Sequence, residues 1–347
     1  MKKHTNPFST FLFLALLYLP VLGLAANGDD IEKKKNISKT YNVTSNDKLS
    51  IENSFGDVVI STWDKNVIQV DIEIGAKANS DQKAQEMLDK IQVSDQQSGG
   101  LISFKTDVGD INNNNGKKHK NEDYGDDRRF YIDYQVHMPA VNRLRLENSF
   151  GKTTVPDMKG EVNLTSKFGS LTAGKLDNVD EIDVEFGTAD IGPVNNGNIS
   201  FKFNSKSHIA NVAGSVKLKC EFSGDVQFGV DNNVRELTVL ESYSTVKMMV
   251  GKGLSASFDV HTSFGNFVNR TDYDIRESGD DDDQYGPRFD KDFSGKAGDG
   301  KAKIKIKSSF GKVRLTDAGD KSSDDEGDDD EKSQKKHSKK NTSISSQ

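Results

Sequence analysis

The sequence predicts an all-β protein, a parallel β-solenoid (β-helix) with coils of about 17–21 residues and one short helix near the N-terminal part. Three observations predict it: an aromatic corner that recurs at nearly constant spacing, an aliphatic residue at a fixed place before each corner, and alternation of apolar and polar residues between them. The corner reads Asn53-Ser-Phe-Gly56, Asn148-Ser-Phe-Gly151, Ser166-Lys-Phe-Gly169, Val184-Glu-Phe-Gly187, Thr262-Ser-Phe-Gly265 and Ser308-Ser-Phe-Gly311. Degenerate copies stand at Phe203-Asn204, Phe222-Ser223 and Tyr243-Ser244. From Phe150 to Phe264 the aromatics are 18, 18, 17, 19, 21 and 21 residues apart, with longer gaps of 95 residues before Phe150 and 46 after Phe264.

Each corner closes a strand. Four places before the aromatic stand Ile51, Leu146, Leu164, Ile182, Ile199, Leu218, Val239, Val260 and Ile306, all aliphatic. Of the 27 residues one, three and five places before it, only Leu240 is apolar. Such period-two patterning gives each strand one dry and one wet face. A unit of about 20 residues cannot bury a core alone, but stacking like on like at about 4.8 Å places the aliphatics in one column and the aromatics in another. The aromatics are expected on the dry face, where Phe186→Ala would open a cavity costing about 3–5 kcal/mol. Glycine after the aromatic suits a position that needs positive φ or close backbone packing. A meander of antiparallel hairpins with Phe-Gly at its turns is the competing arrangement; one motif per period at one phase favours stacked coils.

The remaining segments divide the chain. Residues 1–26 have the layout of a signal peptide: Lys2 and Lys3, an apolar run from Phe11 to Ala26 broken by Pro20 and Gly23, and small Ala25 and Ala26 for cleavage. Export to the periplasm, the cell surface or the medium follows, with no transmembrane segment in the mature chain. Residues 40–104 read as N-terminal β-coils with one helix, since Ala84, Met87, Leu88 and Ile91 fall at helical spacing within Asp81–Val93. Residues 128–316 carry the further coils. An insertion at 105–127, an acidic insertion at 271–300 and a tail at 317–347 are too polar to offset their ordering entropy and read as disordered.

At the first two corners a family resemblance enters. Leu49-Ser-Ile-Glu-Asn-Ser-Phe-Gly-Asp-Val-Val-Ile60 and Val136-His-Met-Pro-Ala-Val-Asn-Arg-Leu-Arg-Leu-Glu-Asn-Ser-Phe-Gly151 resemble the putative-adhesin family of bacterial envelope proteins of unknown function. The resemblance spans about Thr40–Gly75 and Phe130–Leu315. It implies a β-solenoid and a surface role, and brings no catalytic residues.

Composition and motifs exclude more than they assign. The net charge of -7, which becomes -9 without Lys2 and Lys3, argues against nucleic acid as a partner. Cys220 is the only cysteine, so no internal disulfide is available; on the dry face it reads as a small hydrophobe. His208 and His261 lack zinc-ligand spacing, and neither Asp280–Asp283 nor Ser322–Glu331 keeps a calcium-loop register. No nucleotide or hydrolase fingerprint is present. The sequence therefore offers no catalytic, cofactor-binding or metal-binding residue, and no cofactor is expected. Trp63 reads as a packing residue near one end of the stack. Asp183 and Glu185 form a wet-face carboxylate pair without a surrounding sugar cleft. Glu241 is the one dry-face residue that breaks the pattern, marking a bulge, a coil end or a shifted register, with a site of raised pKa as the alternative. On the wet face Lys167, Glu185, Lys202 and Glu221 alternate in charge from coil to coil. The functional expectation is a non-enzymatic envelope or secreted protein with an adhesion, scaffolding or ligand-binding role, its partner a surface glycan or an envelope protein. A carbohydrate-active β-helix enzyme is the alternative, and the oligomeric state is not set by the sequence.

Overall fold

A computed structural model describes residues 30–109, 129–278 and 289–319. The signal segment 1–26, most of the insertion at 105–127 and nearly all of the tail at 317–347 lie outside the described residues. Within them are twenty-three strands and one helix. The N-terminal part holds β1 to β4 (Ile31–Asn42, Lys48–Ser54, Val58–Thr62, Val67–Ala78), α1 (Asp81–Lys90), and β5 and β6 (Gln92–Ser98, Leu101–Asp107). Next come β7 to β14 (Phe130–Met138, Arg143–Ser149, Lys152–Val155, Met158–Lys167, Ser170–Ala173, Leu176–Glu185, Thr188–Ile191, Val194–Lys202). The rest are β15 to β23 (Lys206–Glu221, Asp225–Ser242, Thr245–Val250, Ala256–Ser263, Asn266–Asn269, Asp274–Ser278, Asp290–Ala297, Ala302–Ser309, Lys312–Asp317).

The architecture departs from the parallel solenoid that the spacing predicts. All twenty-three strands belong to one mixed sheet in which antiparallel pairs join parallel ones. Two rows of strands run through it. One proceeds β5-β6-β2-β8-β10-β12-β14-β15-β16-β22-β18-β21-β20. The other proceeds β1-β4-β7-β3-β9-β11-β13-β15-β16-β17-β23-β19. The long strands β15 and β16 pass through both rows and make them a single sheet. The middle of each row is parallel. The first row begins with antiparallel β5–β6 and ends with antiparallel β18–β21 and β20–β21; the second begins with antiparallel β1–β4 and β4–β7 and ends in the parallel pair β23–β19. A parallel stack leaves unpaired backbone donors and acceptors at its edges, and antiparallel strands cover three of the four row ends. Of these strands only β18 closes on a Phe-Gly corner, so the motif spacing could not reveal the others.

The aliphatic column forms in register. Ile51 lies opposite Leu146, then Leu164, Ile182, Ile199, Leu218 and Val239 follow, each no more than 2% exposed. The next partner of Val239 is Ile306, and Val260 lies beyond Ile306. Chain order and spatial order part here: β22 inserts between β16 and β18, and the 46-residue gap holds β19, β20 and β21 ahead of it. The apolar residues of both rows form one continuous buried cluster.

Two boundaries change. Residues 105–107 end β6, and the 271–300 segment expected to be disordered contains β20 and β21, paired with each other and, through β21, with β18. Backbone hydrogen bonding onto an existing edge orders these polar strands, helped by Tyr273, Ile275 and Phe293 packing on the core. The helix forms where its spacing places it but stops at Lys90, with Ser80 as N-cap accepting from the Lys83 amide at 3.4 Å and Ala84 and Leu88 buried against β1 and β4.

Candidate functional site: the aromatic corner ladder

The aromatics are not in the core. Phe150, Phe168, Phe186, Phe203, Phe222, Tyr243, Phe264 and Phe310 are 43–54% exposed, which overturns their expected dry-face position, and Phe289, outside the repeat, is 53% exposed. The reason is the backbone. Phe55, Phe150, Phe168, Phe186, Phe203, Phe222, Tyr243, Phe264 and Phe310 all adopt φ between 50° and 65°, the left-handed region. One such residue at the end of a strand interrupts the alternation and turns its side chain outward. Counting by twos from the buried aliphatic therefore assigns the ring to the wrong side.

The left-handed corner satisfies the ladder between layers. The Phe150 amide donates to the Lys167 carbonyl at 2.9 Å, Phe168 to Glu185 at 3.0 Å, Phe186 to Lys202 at 3.0 Å and Phe203 to Glu221 at 3.0 Å. Side chains then stack. From Phe55 through Phe150, Phe168, Phe186, Phe203, Phe222, Tyr243, Phe310 and Phe264 to Phe289, consecutive ring centroids are 4.7–5.2 Å apart. Their planes lie within 6° of parallel except at the last step, which is 19°. Each ring covers its neighbours' faces, and the row presents ring edges to solvent.

Glycine follows the aromatic for one of the two expected reasons. The positive φ belongs to the aromatic, not to the glycine; glycine is required because a Cβ at Gly151, Gly169 or Gly187 would overlap the carbonyl of the preceding corner glycine. Where the glycines lapse, side chains take over the contact between layers. The Gly187 amide donates to Asn204 Oδ1 at 3.0 Å, the Asn204 amide to Ser223 Oγ at 3.3 Å, and the Ser223 amide to Ser244 Oγ at 3.0 Å. The Ser244 amide has no such partner ahead of it, because the next corner is Gly311. Glu241 Oε1 accepts from it at 2.6 Å, and Glu241 Oε2 accepts from Ser308 Oγ.

Glu241 is thus neither a bulge nor a register shift. It lies in register between Cys220 and Ser308, is 3% exposed, and its carboxylate occupies the space left open by Gly311. Burial pushes its carboxyl above the usual range, against hydrogen bonds that pull it down. Cys220 is buried and unpaired, and burial together with the nearby Glu241 raises its thiol well above its ordinary value, away from the thiolate that reactive cysteines use.

The other singled-out residues remain apart. Lys202 Nζ bridges Glu185 at 2.8 Å and Asp183 at 3.3 Å, and holds the Glu185 carboxyl below the ordinary range; a carboxylate kept ionised in this way is a poor general acid. Lys167 approaches Glu185 at 3.8 Å, so this stretch of the wet face has the alternating charges the sequence anticipates. His208 pairs with Asp190 at 2.9 Å and His261 with Asp292 at 2.8 Å, in different layers. Trp63 stacks on His137 and donates to the Val67 carbonyl at 2.7 Å, a packing role near the N-terminal end. Among the described residues no three His, Cys, Asp or Glu side chains converge as metal ligands, and no helix is long and apolar enough to cross a membrane.

No protein-family model matches the chain, and no curated protein matches it. Solved structures with some likeness include one described as a putative cell adhesion protein from Clostridium sporogenes. It has 10% identity and a TM-score of 0.28, and the match covers 82% of this chain and 100% of that one. A putative adhesin from Bacteroides fragilis has 11% identity and a TM-score of 0.29, over 82% and 97% of the two chains. A putative lipid binding protein from Parabacteroides distasonis has 12% identity and a TM-score of 0.29, over 81% and 96%. Likeness at this level transfers no function.

Proposed function

We propose that the chain is a non-enzymatic, exported binding protein of the cell envelope or its surroundings, and that the aromatic corner ladder is its contact surface. The observation that carries this reading is a row of nine half-exposed aromatics, each touching the next. Exposed apolar strips of this extent mark interaction sites, since monomer surfaces seldom present contiguous patches above a few hundred Å². A bulky side chain in the left-handed region also costs about 1–2 kcal/mol where asparagine or glycine would cost less. The rings must supply something that those residues cannot.

Stacking constrains the partner. A sugar ring packs on an aromatic face, and here every interior face is already covered. The exposed edges suit apolar groups and the carbonyl oxygens of a protein, because the ring edge carries the positive side of the quadrupole. An envelope protein fits this surface better than a glycan. The N-terminal signal layout supports export, and the neutralised Asp183–Glu185 pair supports a role without catalysis.

Binding of the purified chain to a panel of immobilised surface glycans and envelope proteins tests the reading, with the variant Phe168→Asn/Phe186→Asn/Phe203→Asn as the comparison. Asparagine tolerates the left-handed corner, so the variant keeps its backbone while losing three rungs. The expected result is protein binding that falls at least about tenfold in the variant, equivalent to about 1.4 kcal/mol. Equal binding by both proteins would remove the ladder as contact surface, and polysaccharide turnover would overturn the non-enzymatic role.

A further inference from the structure

We infer that the partner of the ladder is a second copy of this chain, docked antiparallel about a two-fold axis. The inference rests on the ladder being the contact surface and adds what it contacts.

Area points to it first. An aromatic side chain carries about 150–250 Å², so each half-exposed ring offers on the order of 100 Å² and the nine together about 900 Å². A standard protein interface buries about 800 Å² per partner. The strip is therefore large enough to hold a dimer without help from the rest of the surface.

Shape and spacing follow. Beside the ring edges of Phe222, Tyr243 and Phe310 lies a shallow depression lined by Ser223, Gly224, Ser244, Thr245, Gly311 and Lys312. A ridge next to a trough is self-complementary under a two-fold rotation, since the ridge of each copy enters the trough of the other. The rungs are 4.7–5.2 Å apart along the whole row, so a ladder read in the opposite direction keeps the same spacing and meets its partner at every rung.

Charge selects the direction. As the first residues of the strands that follow the corners, Lys152, Ser170, Thr188, Lys206, Asp225, Thr245, Lys312 and Asn266 succeed one another in stacking order, Thr245 and Lys312 among them lining the trough. Turned antiparallel about its midpoint, this series brings Lys206 to Asp225, Thr188 to Thr245, Ser170 to Lys312 and Lys152 to Asn266, with no like charges opposed. A parallel arrangement would set Lys206 against Lys206, and opposed like charges disfavour a pairing.

Sedimentation velocity of the purified chain over a range of concentrations tests this, with Lys206→Glu, the exchange Lys206→Glu/Asp225→Lys, and the triple asparagine variant. Circular dichroism and thermal melts check that each is folded. The wild type should sediment as a dimer. Lys206→Glu should weaken it at least about tenfold by placing two acidic groups together at two symmetric places, and the exchange should restore it. The triple variant should be monomeric. A wild-type monomer at every concentration, or an exchange that does not restore a dimer lost in Lys206→Glu, overturns the inference. So does a monomer that binds phosphatidylcholine vesicles through the ladder, which would make the occupant lipid. A monomeric chain with ladder-dependent protein binding would overturn only the self-pairing, whereas a dimer that the triple variant retains would overturn the ladder itself.

Discussion

Phe186 shows how the corner balances strain against stacking. Its φ of 55° is unfavourable for an aromatic residue, and the rings of Phe168 and Phe203 lie 4.9 and 4.8 Å from its own. Each stacked pair contributes about 0.5–1.5 kcal/mol, comparable to the about 1–2 kcal/mol cost of the left-handed backbone. Phe186→Asn loses both stacks, about 1–3 kcal/mol together, but relieves the backbone, so it should cost no more than about 2 kcal/mol in thermal unfolding. Phe186→Ala loses the stacks and keeps most of the strain, and should cost about 1–3 kcal/mol, less than a buried phenylalanine would. Gly169→Ala, one residue after the neighbouring ring, should cost about 3 kcal/mol or more, because its methyl group would overlap the Gly151 carbonyl and neither backbone can yield without breaking the ladder. If Ala and Asn at 186 proved equally destabilising, relief of backbone strain would have no part in the corner's energetics. The strand alternation that makes Ile182 legible as core misplaces Phe186, four residues on, because alternation holds only while φ stays extended. A left-handed aromatic has no signature of its own; the polar residue before it and the glycine after it are equally compatible with an inward ring.

At the scale of elements, the joint between β16 and β22 holds the structure together where chain order breaks. Val239 and Ile306 come from strands far apart in sequence, yet they continue the aliphatic column without a step. Their layer is also the one where Glu241 closes the hydrogen-bonded relay that begins at the Gly187 amide. In register, Glu241 stands between Cys220 from β15 and Ser308 from β22, and its carboxyl accepts from the Ser244 amide and Ser308 Oγ, neither of them a cation. Burial raises its folded-state pKa, so the folded protein binds a proton more readily than the unfolded chain does. This contribution to stability is fully present below the unfolded carboxyl range near about pH 4.3 and is lost as pH rises through the folded value. Urea midpoints measured from pH 5 to pH 8 should therefore carry a downward contribution in the wild type that Glu241→Gln removes. The carboxamide oxygen introduced by that substitution can still accept from the Ser244 amide, so the comparison isolates the charge. Identical pH dependence in the two proteins would show that the carboxyl titrates normally. Sequence exposed Glu241 as an exception to the dry-face pattern, but its cause was illegible: the residue it serves is Ser244, and the reason Ser244 needs it is Gly311, on a strand whose place between β16 and β18 no local pattern encodes.

Across the whole molecule, stability should fall from the middle toward both ends. The all-β class, the aliphatic column and the helix at Asp81 could be read from periodicity, because each is a local pattern repeated along the chain. The antiparallel strands could not. β1, β5 and β20 are mostly polar and exposed, lie outside the motif spacing, and are defined by the edges onto which they pair. Those strands are hydrogen-bonded to a neighbour on one side only, whereas Leu164, Ile182 and Ile199 are buried between paired strands on both sides. Opening an outer strand exposes little apolar surface, while opening β12 requires the parallel stack to separate and uncovers the central column. Native-state hydrogen exchange should follow that order. Amides of β20, only five residues long, should exchange first; those of β5 and β1 should follow, with β1 slowed by the packing of α1 against it. Amides around Ile182 should exchange only through opening of the whole stack. Their apparent opening free energies should then match the global value from denaturant unfolding, with those of β20 several kcal/mol lower, on the order of the difference between fraying and global events. Equal protection in β20 and β12 would mean that end strands and central layers unfold as one unit. The antiparallel ends would then be integral parts of a single cooperative structure and not separable caps on its edges.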